Sequence, residues 1–224
     1  MAGLVAPIAA TDPTARERVP SAGAFVPTSM SLSRIAILHL LPGVLAGLVY
    51  VLASGPVASA GFPPLMSLLV AIAVVIVPFE LGTVLTAGRR EPGSTSLLGA
   101  VPYRRPMAGR TWAWLVPLLL VVAIFGFGLL AVIEPPIRDG LFGWLPAWYL
   151  QPLPIDAVPS FSRSAWIITL VLYVALNVVI GPIVEEFYFR GYLLPRMGRL
   201  GRAAPLVNVV LFSLYHVWSP WQFL

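Results

Sequence analysis

The stretch WAWLVPLLLVVAIFGFGLLAVI, residues 112–133, decides the fold. It carries no charged residue. An α-helix rises 1.5 Å per residue, so about 20 apolar residues cross the hydrocarbon core of a bilayer. Trp112 and Trp114 stand at its start, where membrane helices place aromatic rings at the boundary with water.

Working outward, four more apolar runs flank this one, at about 35–54, 62–87, from 165 past Arg190, and 204–218. Across the whole chain 58% of residues are apolar and 10% are charged. A soluble domain carries about 25% charged residues, so this chain cannot cover the surface of a soluble globule. High hydrophobicity excludes disorder as its general state. The expected fold is all-α, a polytopic transmembrane bundle of about five spans. Cysteine is absent, which removes disulfides, thiolate catalysis and cysteine-ligated metal.

The net charge of +5 comes from arginine alone, since the chain has no lysine. The arginines form short clusters between apolar runs, not a stripe on a folded face, so nucleic acid is not an expected partner. Arg16, Arg18 and Arg34 precede the first run. Arg89, Arg90, Arg104, Arg105 and Arg110 follow the second, and Arg196, Arg199 and Arg202 follow the fourth. The intervening loops are poor in arginine or balance it with Glu134, Asp139 and Asp156. This alternation places the N-terminus in the cytoplasm of a multi-pass protein, with a bacterial cell membrane as the expected location.

Three regions follow. Residues 1–30, rich in Ala, Pro, Ser and Thr, read as a disordered cytoplasmic arm. Residues 31–164 hold the N-terminal transmembrane helices and loops, and 134–164 reads as an interfacial segment rich in Pro, Trp and Tyr. Residues 165–224 hold the chemistry.

Ionisable side chains inside a span are costly and mark function or pairing. GPIVEEFYFRGYLLPRM, residues 181–197, contains Glu185, Glu186 and Arg190 within one span. NVVLFSLYHVWSPWQ, residues 208–222, contains His216 in the next. If the two spans form an antiparallel hairpin about Gly201, equal distances from the turn pair Glu186 with His216 and Arg190 with Phe212. That common depth is about 15 residues from the turn, or roughly 20 Å of helix. Glu185 or Glu186 can serve as general base toward a water, with His216 orienting the water or protonating a leaving group. Arg190 lies one turn after Glu186 and shares its face. Gly181-Pro182 removes a backbone donor and kinks the helix just before the carboxylates. Glu185, Glu186 and His216 also form a donor set that could begin a site for a divalent metal such as zinc. The His-Glu-x-x-His spacing of familiar zinc proteases is absent.

The competing reading makes Glu186–Arg190 an intrahelical ion pair, lets Glu185 snorkel and leaves His216 at the interface. His39 is expected at the interface near Arg34. Glu80 is expected toward the cytoplasmic end of its span, reaching water or a loop arginine. Asn177 and Asn208 are expected to bond between helices.

EEFYFR followed by FSLYH resembles the CPBP family, the CAAX prenyl protease and bacteriocin-processing (Abi) intramembrane proteases. Glu185, Glu186 and Arg190 match its first motif, and Phe212 and His216 match its second. The resemblance covers about 165–224. It implies an all-helical fold with a cavity open to the cytoplasm and peptide-bond hydrolysis within the membrane, either metal- or glutamate-dependent. Glu185, Glu186 and His216 take the catalytic positions, with Arg190 and Phe212 in support. The first Glu and the His activate the attacking water. A third family motif, His with Asn or Asp four residues on, has no counterpart before Leu224. The resemblance therefore implies that part of the bundle is missing, in a fragment or in a truncated member of weak activity.

The expected function is an intramembrane endopeptidase acting on membrane-associated or lipid-modified protein tails, with the bilayer and a peptide or protein substrate as partners. The contrasting reading is a non-catalytic membrane protein of immunity or scaffold type that keeps the motif residues. A transporter is disfavoured, because a proton relay needs carboxylates spread over several spans.

Overall fold

The chain enters its first helix at Ser31, whose Oγ accepts a hydrogen bond from the Arg34 amide at 3.3 Å. This side-chain cap satisfies one of the free N–H groups at the helix start. The computed structural model describes residues 28–90, 100–101, 107–152 and 155–223. Most of the expected N-terminal arm therefore lies outside the described residues, as do Arg16, Arg18, Arg104 and Arg105.

Helix α1 spans Leu32–Ser59. A short turn through Gly61, at φ 75°, reverses the chain into α2, Leu65–Arg89. Helix α3 spans Gly109–Phe142. A helical turn α4, Ala147–Leu150, and a 3-10 turn, Ile155–Ser160, lead to α5, Arg163–Arg196. Ser162 caps α5 by accepting from the Ala165 amide at 3.1 Å. A tight connection follows, with Gly201 at φ 50°, and α6 runs Ala204–Tyr215. No strand occurs among the described residues. The fold is all-α, and α1, α2, α3 and α5 are long and apolar enough to cross a membrane.

Two boundaries differ from expectation. Helix α3 continues through Glu134, Pro135 and Pro136 into the segment expected to be interfacial. The fifth run forms helix only to Tyr215, so α6 rises about 18 Å and stops inside the bundle. Beyond it, Trp221 ties back to α3 through a 2.8 Å bond from Nε1 to Glu134.

The core lies where α1, α2, α5 and α6 meet. Tyr50, Leu69, Ile76, Tyr188, Phe189, Leu193 and Tyr215 are fully or almost fully enclosed there. Helix α1 approaches the end of α6 so closely at Gly43 that an added Cβ would collide with the Tyr215 carbonyl. Helix α3 stands apart, with no buried residue along its length.

Candidate active site

Helix α5 is not a regular α-helix throughout. Residues Tyr173–Ile180 and Glu186–Leu193 form wider π-type turns. The first ends where Gly181 donates its N–H to the Leu176 carbonyl, five residues back. Pro182 has no N–H, and its ring would press on the carbonyl four residues before it, so the wider turn relieves the conflict. A Cβ at Gly181 would lie 2.8 Å from the Leu176 oxygen, which accounts for glycine at this position.

The two adjacent carboxylates then part company, because neighbouring helix residues point about 100° apart. Glu186 faces outward and receives a 2.8 Å bond from Arg190 Nη1. Glu185 turns inward and accepts from the Tyr215 hydroxyl at 3.3 Å. The expected ion pair is present, but Glu185 does not snorkel.

His216 caps the end of α6. Its Nδ1 lies 2.9 Å from the Phe212 carbonyl. A carbonyl only accepts, so Nδ1 carries the hydrogen, and in its neutral form the ring presents a lone pair at Nε2. The rings of Phe212, Tyr215 and Trp218 lie about its imidazole at 4.8, 4.8 and 5.1 Å between centroids. Glu185 and His216 line one cavity of about 270 Å³, together with Asn177, Gly181, Pro182 and Trp218. Ile72 and Ile76, which bound a π-type turn of α2, supply an apolar wall.

The hairpin expectation is met in the ring packing. Phe189 of α5 and Phe212 of α6 lie at nearly matching distances from Gly201, and their centroids are 4.8 Å apart. Phe212 acts through its ring on Phe189 and through its carbonyl on His216.

Two sequence expectations are corrected. His39 is not interfacial but wholly enclosed. Its Nδ1 bonds the Ile35 carbonyl at 2.8 Å, and its Nε2 lies 3.1 Å from the Asn208 amide. The atom placed there is Oδ1; a neutral ring that donates through Nδ1 needs the amide's NH2 end at Nε2, and the two ends of the amide are assigned by this network. Asn208 thus bonds between helices, as expected. Glu80 is closed off from solvent and pairs with no arginine among the described residues. It is 0% exposed, and neither carboxyl oxygen makes a hydrogen bond among the described residues. It faces Glu185, Tyr188 and Tyr215 in the core. A depth argument would have found it: Glu80 stands about as far from the arginines ending α2 as Glu185 does from Arg196.

Among the described residues no three His, Asp or Glu side chains are arranged to hold a metal ion. Glu186, turned toward Arg190, does not join Glu185 and His216 as a third ligand. The arrangement does not fit the zinc set considered from sequence.

No curated relative and no solved structure matches the chain. Residues 167–224 match the family model described as Rce1-like, type II CAAX prenyl endopeptidase Rce1-like. The match contains Glu185, Glu186, Arg190, Phe212 and His216, so the α5–α6 segment that supplies the polar side of the cavity is similar to that family.

Proposed function

We propose that this protein is an intramembrane endopeptidase that hydrolyses peptide bonds of membrane-associated or lipid-modified protein tails. The observation that carries the reading is the cavity in which Glu185 of α5 meets His216 at the end of α6, inside a membrane-spanning bundle. The family similarity supplies the reaction class.

In this reading Glu185 is the general base. It takes a proton from water as the water oxygen attacks the scissile carbonyl carbon. The C–N bond then breaks, and the proton passes to the departing nitrogen. His216, with Nε2 free to accept, holds the water in line. Tyr215 fixes the Glu185 carboxyl through its hydroxyl. Glu186 and Arg190 pair on the outer face and support the α5 turn that aims Glu185 inward. No step is routed through a metal. The site lies in the cytoplasmic half of a multi-pass protein with its N-terminus in the cytoplasm, as the arginine clusters argue.

The test is cleavage of a membrane-anchored peptide by purified protein in lipid. Glu185→Ala and His216→Ala should each lower the rate by about a hundredfold or more, with membrane insertion intact. Unchanged cleavage by Glu185→Ala would end the glutamate-base reading. Failure of the unaltered chain to cleave any such peptide would favour a non-catalytic role.

A further inference from the structure

Among the described residues, Glu80 is the one carboxyl group in the core that the proposed reaction leaves without a task. It comes from α2, whereas Glu185 and Tyr215 come from α5 and α6, so three helices converge on this point. Glu80 is wholly enclosed, and neither oxygen is engaged as the side chains stand. Both carboxyl groups lie within reach of the same phenol, Tyr215, whose hydroxyl bonds Glu185 at 3.3 Å. The titratable groups facing Glu80 are Glu185, Tyr188 and Tyr215. The Tyr188 hydroxyl is committed elsewhere, donating to the Leu38 carbonyl at 2.7 Å.

No ion pair reaches Glu80 or Glu185 among the described residues. Two neighbouring carboxylates, both charged and both out of water, repel each other and lose hydration without a counter-ion. One phenol hydrogen cannot satisfy both. A single added proton resolves the conflict, and the surroundings decide where it sits. Glu185 opens on the cavity and already accepts a hydrogen bond, the environment of a charged acceptor. Among the described residues Glu80 does not line the cavity, and the one hydroxyl near it that is not committed elsewhere is the shared phenol.

We infer that Glu80 is a positioning residue for Glu185, held as a neutral acid that donates to the Tyr215 oxygen while Tyr215 donates to the Glu185 carboxylate. Every donor in this chain then has one acceptor, and the orphaned carboxyl gains its partner. The chain fixes the Glu185 rotamer and leaves it the charged member of the pair. This inference rests on the glutamate-base reading of the site.

Infrared spectroscopy of the purified full chain in lipid at neutral pH tests it directly. The unaltered protein should show the C=O band of a protonated carboxyl group. Glu80→Gln should remove that band, Glu185→Gln should keep it, and Tyr215→Phe should shift it. Absence of the band in the unaltered protein, or its survival in Glu80→Gln, overturns the inference. Should Glu80→Gln fail to fold, the Tyr215→Phe shift decides the matter with both carboxyl groups in place; an unmoved band would refute the chain.

Cleavage gives a second readout. Glu80→Leu removes the donor and should lower kcat by about tenfold, the worth of one strong hydrogen bond. Glu80→Gln keeps a donor in the same shape and should lose less. A purely structural role predicts the reverse order, because leucine suits an apolar enclosure better than an amide. The infrared result stands or falls without proteolysis, so failure of the carboxyl chain and failure of the protease reading are distinguishable.

Discussion

Burial without a partner is far more costly than burial with one, and His39 shows the partnered case. Both its ring nitrogens are bonded inside the core, one within α1 and one across to Asn208 of α6. Removing the amide strands Nε2 where no water reaches. Asn208→Leu should therefore destabilise the protein by about 1–3 kcal/mol, seen as a lower unfolding midpoint in detergent. The Glu186–Arg190 pair is a different case, because its side chains are 48% and 67% exposed. Arg190→Ala strands no enclosed charge and should cost less stability than Asn208→Leu. The structure decides this weight, because Glu186 turns outward to meet Arg190. A midpoint for Arg190→Ala below that of Asn208→Leu would count against this account.

Among the elements, α1 and α6 are held together by proximity that only glycine permits. Gly43 faces the Tyr215 carbonyl, and Gly47 faces Val217, where an added Cβ would sit 2.8 Å from Cγ2. Gly43→Ala should force the helices apart and cost about 1–3 kcal/mol, as overpacking does. The shift would act on Tyr215 and so on Glu185, so cleavage should fall along with the unfolding midpoint. Gly82→Ala is the control. It lies in α2 with open space around its Cβ position, and alanine favours helix, so neither quantity should fall. An undiminished midpoint for Gly43→Ala would show that the helices yield without strain.

At the scale of the molecule, α3 is the outlier. It is 34 residues long, and none of its residues is buried against the rest of the chain. Its tie to the core is through the Trp221 segment, by the bond to Glu134 and by a ring contact between Phe142 and Trp221. A helix this apolar, with no residue buried among the described residues, suits the hydrocarbon of a bilayer. The proposed orientation of the whole rests on the arginine clusters. A cysteine placed at Arg199, in a chain with no other cysteine, should react with an impermeant thiol reagent only from the cytoplasmic side. Labelling from the outside would invert the topology and place Glu185 nearer the outer surface.

Hydropathy and arginine spacing alone specified a helical membrane bundle, because the bilayer admits few other solutions for a chain this apolar. The α5–α6 hairpin was legible for the same reason. A short turn with Gly201 at its centre sets the register, and helix rise does the rest. Glu185, His216 and Arg190 stood out as ionisable groups in apolar runs. What sequence could not supply was the direction each span faces. The apolar residues of α1 surround the helix, so no polar face marks outside from inside, and in α2 the polar residues gather toward its arginine end. His39 and Glu80 therefore read as interfacial beside their nearest arginines. Only the packing of α1, α2, α5 and α6 shows that they point inward, to Asn208 and Tyr215. Those contacts join residues more than a hundred positions apart, and nothing local in the chain encodes which helix face will meet which.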